Sequence, residues 1–133
     1  METRTLSSKE IIRNNVTIDA STNTLGRIAS EAARYLLGKG KVLNASHLVN
    51  SDVVTVINAS KVQITGNKLI NKIYVRHSGF PKGLKEESLE RLLKRDPAEV
   101  IRQAVLGMLP KNKLRNDRIK YLKIFCGSKN GRK

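Results

Sequence analysis

Residues 16–38, VTIDASTNTLGRIASEAARYLLG, contain the pattern that decides the fold. A short strand ends at Asp19, and a polar turn follows it. Apolar residues then recur at helical spacing from Leu25 to Leu36, and Gly38 stands where a left-handed helix cap is expected. The stretch therefore predicts a strand followed by an amphipathic helix.

A second strand is predicted at residues 53–57, VVTVI, a continuous β-branched run that is typical of a strand covered on both faces. A strand, a helix and such a second strand imply a right-handed crossover with parallel pairing. Further along, Ile73 to Arg76 predict another strand, and a last one places Leu122 and Ile124 on the same face. This order of elements predicts the α/β class.

The strongest helix start in the chain lies at Asp96. Asp96 is a good N-cap, Pro97 occupies the first helical position, and Glu99 stands third, where a capping box requires it. Pro110 is expected to end this helix, and a short basic helix is expected near residues 114–119. The predicted buried stripe of the first of these helices consists of Val100, Ile101, Ala104, Val105 and Met108.

The positive charge is concentrated in the second half of the chain. Residues 1–60 hold seven basic and five acidic side chains, whereas residues 61–133 hold nineteen and six, so the second half carries +13 of the net charge of +15. From residue 109 to residue 133, nine basic residues stand against one acid, Asp117. This excess predicts a polyanionic partner, with nucleic acid ahead of an anionic membrane. Because aromatic residues make up only 4% of the chain and Trp is absent, base stacking is not the expected mode of binding.

The remaining composition excludes several classes of protein. At 133 residues the chain fits one domain, and no apolar run approaches the ~20 residues of a membrane span. The single cysteine, Cys126, rules out an intrachain disulfide and is expected to be a small buried hydrophobe. The only histidines, His47 and His77, have no acid beside them in sequence that would favour catalysis or metal binding. We expect no cofactor and no metal.

The motif Gly107-Met108-Leu109-Pro110-Lys111 admits two interpretations. It could be an ordinary helix ending, with a proline stop and a lysine at the negative end of the helix dipole, or it could bind phosphate. Taken alone, the ordinary ending is favoured. Met108 and Leu109 are expected in the core under either interpretation.

Two further motifs are equally open. The turn Gly66-Asn67-Lys68 is either a tight turn that needs positive φ or a close approach of backbone N–H groups to a phosphate, with the two evenly balanced. Residues 24–27, TLGR, could begin a phosphate-binding helix, but they lack the other glycines of a dinucleotide fingerprint. Gly26 is instead expected to allow close packing of helix on sheet, with Arg27 pointing outward.

Short motifs occur along the chain in one order: Asp19-Ala20, Thr24 to Arg27, Asn58-Ala59, Thr65 to Lys68, His77 to Gly79, Gly107 to Lys111, and Leu122-Lys123. Taken together, they closely resemble the bacterial type of the large-subunit ribosomal protein L13 family, over most of the chain. Three features depart from the usual pattern: Asn15 replaces an aromatic residue, Ser46 replaces a proline, and the tail after Gly127 lacks a histidine-rich continuation.

The resemblance implies a three-layer α/β/α fold with a mostly parallel sheet of about four strands. It implies a single ribosomal-protein domain over residues 1–133, with an amino-terminal extension at 1–14 and a basic tail at 128–133. The implied role is that of a structural, non-enzymatic constituent of the large ribosomal subunit, which binds large-subunit rRNA directly and supports early subunit assembly. The expected partners are large-subunit rRNA and neighbouring large-subunit proteins, with no membrane and no small-molecule substrate. The expected location is the ribosome of the cytoplasm or of an organelle.

Basic side chains in and around the motifs are the predicted rRNA contacts. Two alternatives stay open: a free RNA-binding regulator, for instance of its own messenger, and a small nucleotide-binding α/β enzyme. The predicted contact residues are Arg27, Lys39, Lys41, Lys68, Lys72, Arg76, His77, Lys82, Lys85, Lys111, Lys113, Arg115, Arg118 and Lys120.

Overall fold

The computed structural model describes residue 7 and residues 10–42 and 44–127. The predicted tail at 128–133 lies outside the described residues, and the predicted extension at 1–14 is described only in part. The helices and strands are β1 (Asn15–Asp19), α1 (Leu25–Leu36), β2 (Val53–Ile57), α2 (Lys68–Asn71), β3 (Ile73–His77), β4 (Leu84–Ser88), α3 (Leu89–Arg95), α4 (Pro97–Met108), α5 (Arg115–Ile119) and β5 (Leu122–Ile124).

The central sheet is parallel and has the order β1-β2-β5. Val16 pairs with Val54 on one side of β2, and Val54 pairs with Leu122 on the other. The predicted α/β class and the parallel pairing are therefore confirmed. Within the described residues this sheet has three strands, since the predicted strand at residues 73–76 belongs to a separate hairpin.

That hairpin pairs β3 with β4 in an antiparallel register, from Ile73 opposite Ser88 to His77 opposite Leu84. A connection of six residues, 78–83, is too short for the crossover that parallel pairing needs, so the chain turns straight back. The sequence did not indicate β4, because its charged residues, among them Glu86, have little strand propensity. We call residues 73–88 the hairpin.

The two long helices pack against each other on one face of the parallel sheet. The strand order steps in one direction from β1 through β2 to β5, and crossovers that follow the usual right-handed rule put their helices on the same side of such a sheet. Ser30 of α1 donates a hydrogen bond to the sulfur of Met108 of α4 (3.1 Å). On the opposite face of the sheet, Thr17 and Lys123 are exposed. We call β1, α1, β2, α4 and β5, with the segments that link β1 to α1, α1 to β2 and α4 to β5, the body.

The main core lies between these helices and the sheet. Each large aliphatic side chain that is fully buried there adds about 1.5–3 kcal/mol to the free energy of unfolding, relative to an exposed one. A second cluster of Leu89, Leu92 and Val100 joins α3 to α4, and Tyr74 packs the hairpin against it. Fully buried members of the main core are Ile28 and Leu36 of α1, Val54 and Val56 of β2, and Ile101 and Val105 of α4.

Helix α4 begins as predicted, with one difference. A carboxylate oxygen of Asp96 accepts from the N–H groups of Ala98 (3.0 Å) and Glu99 (3.2 Å), which confirms the N-cap. The second half of the capping box is absent, because the Asp96 N–H donates to the carbonyl of Leu92 in the adjoining helix α3. Glu99 instead accepts from the side chain of Gln103.

The end of α4 and the end of β5 differ from the sequence expectation at two positions. Leu109 is buried as predicted, but Met108 is 42% exposed, because it lies on the side of α4 that lines two surface depressions and not on the side that packs on the sheet. Cys126 is exposed rather than buried, because β5 ends at Ile124 and the cysteine lies beyond the strand.

Candidate nucleic-acid interface

Side-chain hydrogen bonds within the chain join the carboxyl ends of the parallel strands β1 and β2. Asp19 accepts from the backbone N–H and the hydroxyl of Ser21 (2.9 and 2.8 Å) and from the side-chain amide of Asn58 (3.1 Å). The Ser21 backbone N–H, followed by the Asn58 amide, lowers the pKa of Asp19 below its ordinary value of 3.8. The carboxylate thus fastens the turn after β1 to the residue after β2, and this is a structural role.

The same edge offers no crevice for a nucleotide. Open α/β sheets bind such ligands where the strand order reverses, and the order β1-β2-β5 does not reverse. Within residues 10–42 and 44–127, no group of three His, Cys, Asp or Glu side chains is placed to hold a metal ion. In the same part of the chain, no helix has the length and apolar character needed to cross a membrane. The geometry gives no support to the small enzyme considered above.

Three motifs that are far apart in sequence instead meet around one groove of about 520 Å³. Residues 24–26 form one wall, residues 63–65 with Lys68 and Lys72 form another, and the last turns of α4 form a third. The walls are tied together, since the Leu25 N–H donates to the carbonyl of Gln63 (3.1 Å). We call this site the groove. Its lining contains apolar side chains and two lysines, and it contains no acid.

A shallower depression lies on the other side of Met108. Its lining includes Arg34 and Lys39 together with Ser30 and Met108, so the exposed methionine stands between two cationic depressions. Arg34 was not among the predicted contacts, because its only signal in the sequence is its place on the outer face of α1. Arg27, in the first turn of α1, is exposed as predicted.

The glycine motifs have a different structural basis from the expected one. Gly66 has a φ of +68°, which confirms the tight turn, but Asn67 has a φ of −84° and needs no special conformation. A Cβ atom placed on Gly26 would meet nothing within 4 Å, and the same holds for Gly107. Close packing of helix on sheet therefore does not explain Gly26. Both glycines face open space at the groove.

The hairpin carries a second group of predicted contacts. Arg76 and Lys85 lie directly opposite each other in the antiparallel register, and both are exposed. They share a cleft with Arg95, which was not among the predicted contacts and which pairs with Glu87 at 2.9 Å. His77 and Lys82 are also exposed, at the loop end of the hairpin.

The segment after α4 provides a third group. Lys111 and Lys113 are exposed, and Arg115 is half-buried. Lys120 is exposed but pairs with Asp117 at 2.8 Å, and this hydrogen bond raises the pKa of Lys120 above its ordinary value. All four side chains can be reached from solvent.

Two predicted contacts are largely buried in the fold. The ammonium of Lys41 lies 2.8 Å from a carboxylate oxygen of Asp52 and also donates to the side chain of Asn50 and to the carbonyl of Ile12. Arg118 is only 5% exposed and lies against the loop before β2, where its guanidinium donates to a carbonyl at 3.5 Å. Because tertiary contacts have taken both cations out of solvent, we leave them out of the proposed interface.

Comparison with known proteins identifies the family. Residues 13–131 match the family model described as Ribosomal protein L13. The chain belongs to the ribosomal protein L13 family. The resemblance that the motifs indicated is thereby confirmed, and membership makes the chain a ribosomal protein and not an enzyme.

Similar members of the L13 family cover nearly the whole chain. The large ribosomal subunit protein uL13 of Dehalococcoides mccartyi strain 195 is 48% identical over 127 residues, which are 96% of this chain and 89% of the relative. That of Syntrophotalea carbinolica is 42% identical over 128 residues, 96% of this chain and 90% of the relative. That of Acinetobacter baumannii strain AYE is 46% identical over 127 residues, 94% and 89% of the two chains. These relatives are bacterial, in agreement with the motif forms.

Proposed function

We propose that this chain is a structural constituent of the large ribosomal subunit that binds large-subunit rRNA directly and supports early subunit assembly. One observation carries the proposal: three separate motifs converge on a groove that contains lysines and no acid. Arg34 and Lys39 extend this cationic surface past Met108. Neighbouring large-subunit proteins are further proposed partners, and the ribosome of the cytoplasm is the proposed location. The whole of residues 1–133 would act as one ribosomal domain.

The chemistry of the surface favours phosphate contacts over the reading of base edges. Within the described residues, none of Lys68, Lys72, Lys111 and Lys113 forms an ion pair with an acid. Cations of this kind release counterions when they meet phosphates, and they fix the position of a protein on RNA by shape. The apolar floor of the groove would then contact the sugar edge of the backbone.

The test is salt-dependent binding of the purified chain to deproteinised large-subunit rRNA. Changing Lys68→Gln and Lys72→Gln, the two lysines of the groove, together should make the slope of log affinity against log salt shallower by about 1.4–1.8, since each phosphate contact contributes ~0.7–0.9. Changing Lys94→Gln is the matched control, because Lys94 is exposed and paired with Glu90 on α3. Equal effects of the two sets, or affinity that does not depend on salt, would contradict the proposal.

A gradient separation of cell extract tests the ribosomal location. The chain should migrate with large subunits and with their early precursors. Migration mainly as free protein, together with crosslinks to messenger RNA, would instead support the free regulator.

A further inference from the structure

The tip of the hairpin is built differently from its base. At the base, the Leu89 N–H donates to the carbonyl of Lys72 (2.9 Å), and Tyr74 packs on the cluster between α3 and α4. The cation of Lys72 lies 5.1 Å from the centre of the Tyr74 ring. At the tip, the loop of residues 78–83 carries Phe80, which is 75% exposed. The base is anchored to the body, whereas the tip presents an aromatic ring to solvent.

Hydrogen bonds and glycine geometry fix the shape of this loop. The Ser78 N–H donates to the carbonyl of Gly83 (3.2 Å), and the Gly83 N–H donates to the carbonyl of Phe80 (2.9 Å). The Gly79 N–H donates to Nδ1 of His77 (2.9 Å). A Cβ atom on Gly83 would lie 2.1 Å from the Ser78 hydroxyl and 2.8 Å from the Phe80 carbonyl, so this turn requires glycine. The exposed ring therefore stands on a defined backbone.

The charged residues from Arg76 to Lys85 have one sign, and Glu87, the acid in the cleft that Arg76 and Lys85 share, is paired with Arg95. Arg76 and Lys85 are directly opposed across the two strands, and like charges in this position destabilise a hairpin. With Lys82, the segment from residue 76 to residue 85 holds three cations and no acid. A polyanion bound beside the tip would relieve this repulsion.

We propose that the tip of the hairpin binds an unpaired nucleotide of rRNA, with its base stacked on Phe80 and the flanking phosphates held by Arg76 and Lys85. This inference rests on the proposed rRNA binding and specifies the kind of nucleotide that the hairpin takes. A paired base is closed to an aromatic ring, because the duplex already stacks it on both sides, whereas an unpaired base offers its face. Low aromatic content argued against stacking as a general mode, yet the fold places one of only two phenylalanines between cations at an ordered tip.

The test uses the full chain and deproteinised large-subunit rRNA. Changing Phe80→Leu keeps an apolar side chain and removes the aromatic face, so affinity should fall about 5- to 100-fold with the salt slope unchanged. The thermal midpoint should stay the same, because the side chain is already exposed. Changing Phe125→Leu, at the only other phenylalanine, is the matched control and should leave affinity within about twofold of the wild type.

A spectroscopic variant reports stacking directly. The chain has three tyrosines but no tryptophan, so Phe80→Trp introduces a single tryptophan at the tip, which can be excited selectively at wavelengths where tyrosine does not absorb. Its emission should be quenched by RNA, and chemical probing should reveal an unpaired base that the wild type protects and that Phe80→Leu leaves reactive.

Three results would overturn the inference. If Phe80→Leu and wild type bind with equal affinity while binding stays salt-dependent, the stacking site is wrong and the proposed rRNA binding stands. If Phe80→Leu binds rRNA normally but fails to enter large subunits, the tip contacts a neighbouring protein instead. If even the wild type fails to bind rRNA, the proposed function falls and the inference falls with it.

Discussion

The body and the hairpin use similar side chains in opposite ways. In the body, Ile101 is fully buried and the Lys41 ammonium is enclosed by oxygen atoms. In the hairpin, Ile73 is 54% exposed and Lys82 is exposed at the loop. The body thus encloses these two side chains, whereas the hairpin leaves an apolar and a charged side chain in solvent. Residue type alone therefore does not reveal whether a side chain serves the fold or a partner.

The largest expected difference between the two regions concerns their cations. Changing Lys41→Ala leaves Asp52, itself only 8% exposed, without its charge partner, and should lower the free energy of unfolding by about 3–5 kcal/mol. Changing Lys82→Ala should alter it by no more than about 0.5 kcal/mol. Urea unfolding measures both. If Lys41→Ala instead weakened rRNA binding and left the free energy of unfolding unchanged, Lys41 would be an rRNA contact and not a structural residue.

Apolar side chains of the body and of the hairpin should also differ in their contribution to the free energy of unfolding, by slightly less than the two lysines do. Changing Ile101→Ala opens a cavity in the core and should lower the free energy of unfolding by about 2–5 kcal/mol. Changing Ile73→Ala in the hairpin should lower it by less than about 1 kcal/mol, because much of that side chain already contacts water. The pair has matched chemistry, so equal losses would show that the hairpin is as integral to the fold as the body.

The smallest effect is expected at the boundary of the body, in Gly107→Ala. A Cβ atom there meets nothing within 4 Å, and alanine is the better helix former, so the free energy of unfolding should rise by about 0.5 kcal/mol. Affinity for rRNA should fall, because the methyl group projects into the groove where we place the RNA backbone. A gain in stability with unchanged affinity would remove this wall of the groove from the interface.

Local patterns predicted most of the elements. Helices α1 and α4, the strands of the parallel sheet and the N-cap at Asp96 follow from spacing and capping chemistry, which act over a few residues. Strand β4 was missed, because its pairing with β3 overrides the weak propensity of its charged residues. Cys126 and Met108 were assigned to the wrong environment, because the apolar pattern does not reveal where a core ends.

The sequence predicted that the candidate interface is rich in cations, but it did not predict which cations belong to it. The sequence located the excess of cations, and most of the predicted side chains are accessible. Lys41 and Arg118 had the same local signal and are enclosed by residues distant in sequence. Arg34 and Arg95 were omitted although they lie in cationic depressions beside the predicted residues.

By itself, the sequence determined the α/β class, the parallel pairing of the first two strands and the family, and it predicted a polyanionic partner. These properties depend on periodicity, on composition and on the order of motifs, all of which can be read along the chain. Only the tertiary structure decided that three motifs share one groove, that Phe80 stands at an ordered tip and that certain lysines stay in solvent. Those properties depend on contacts between residues far apart in sequence, because burial is set by what the folded chain brings together.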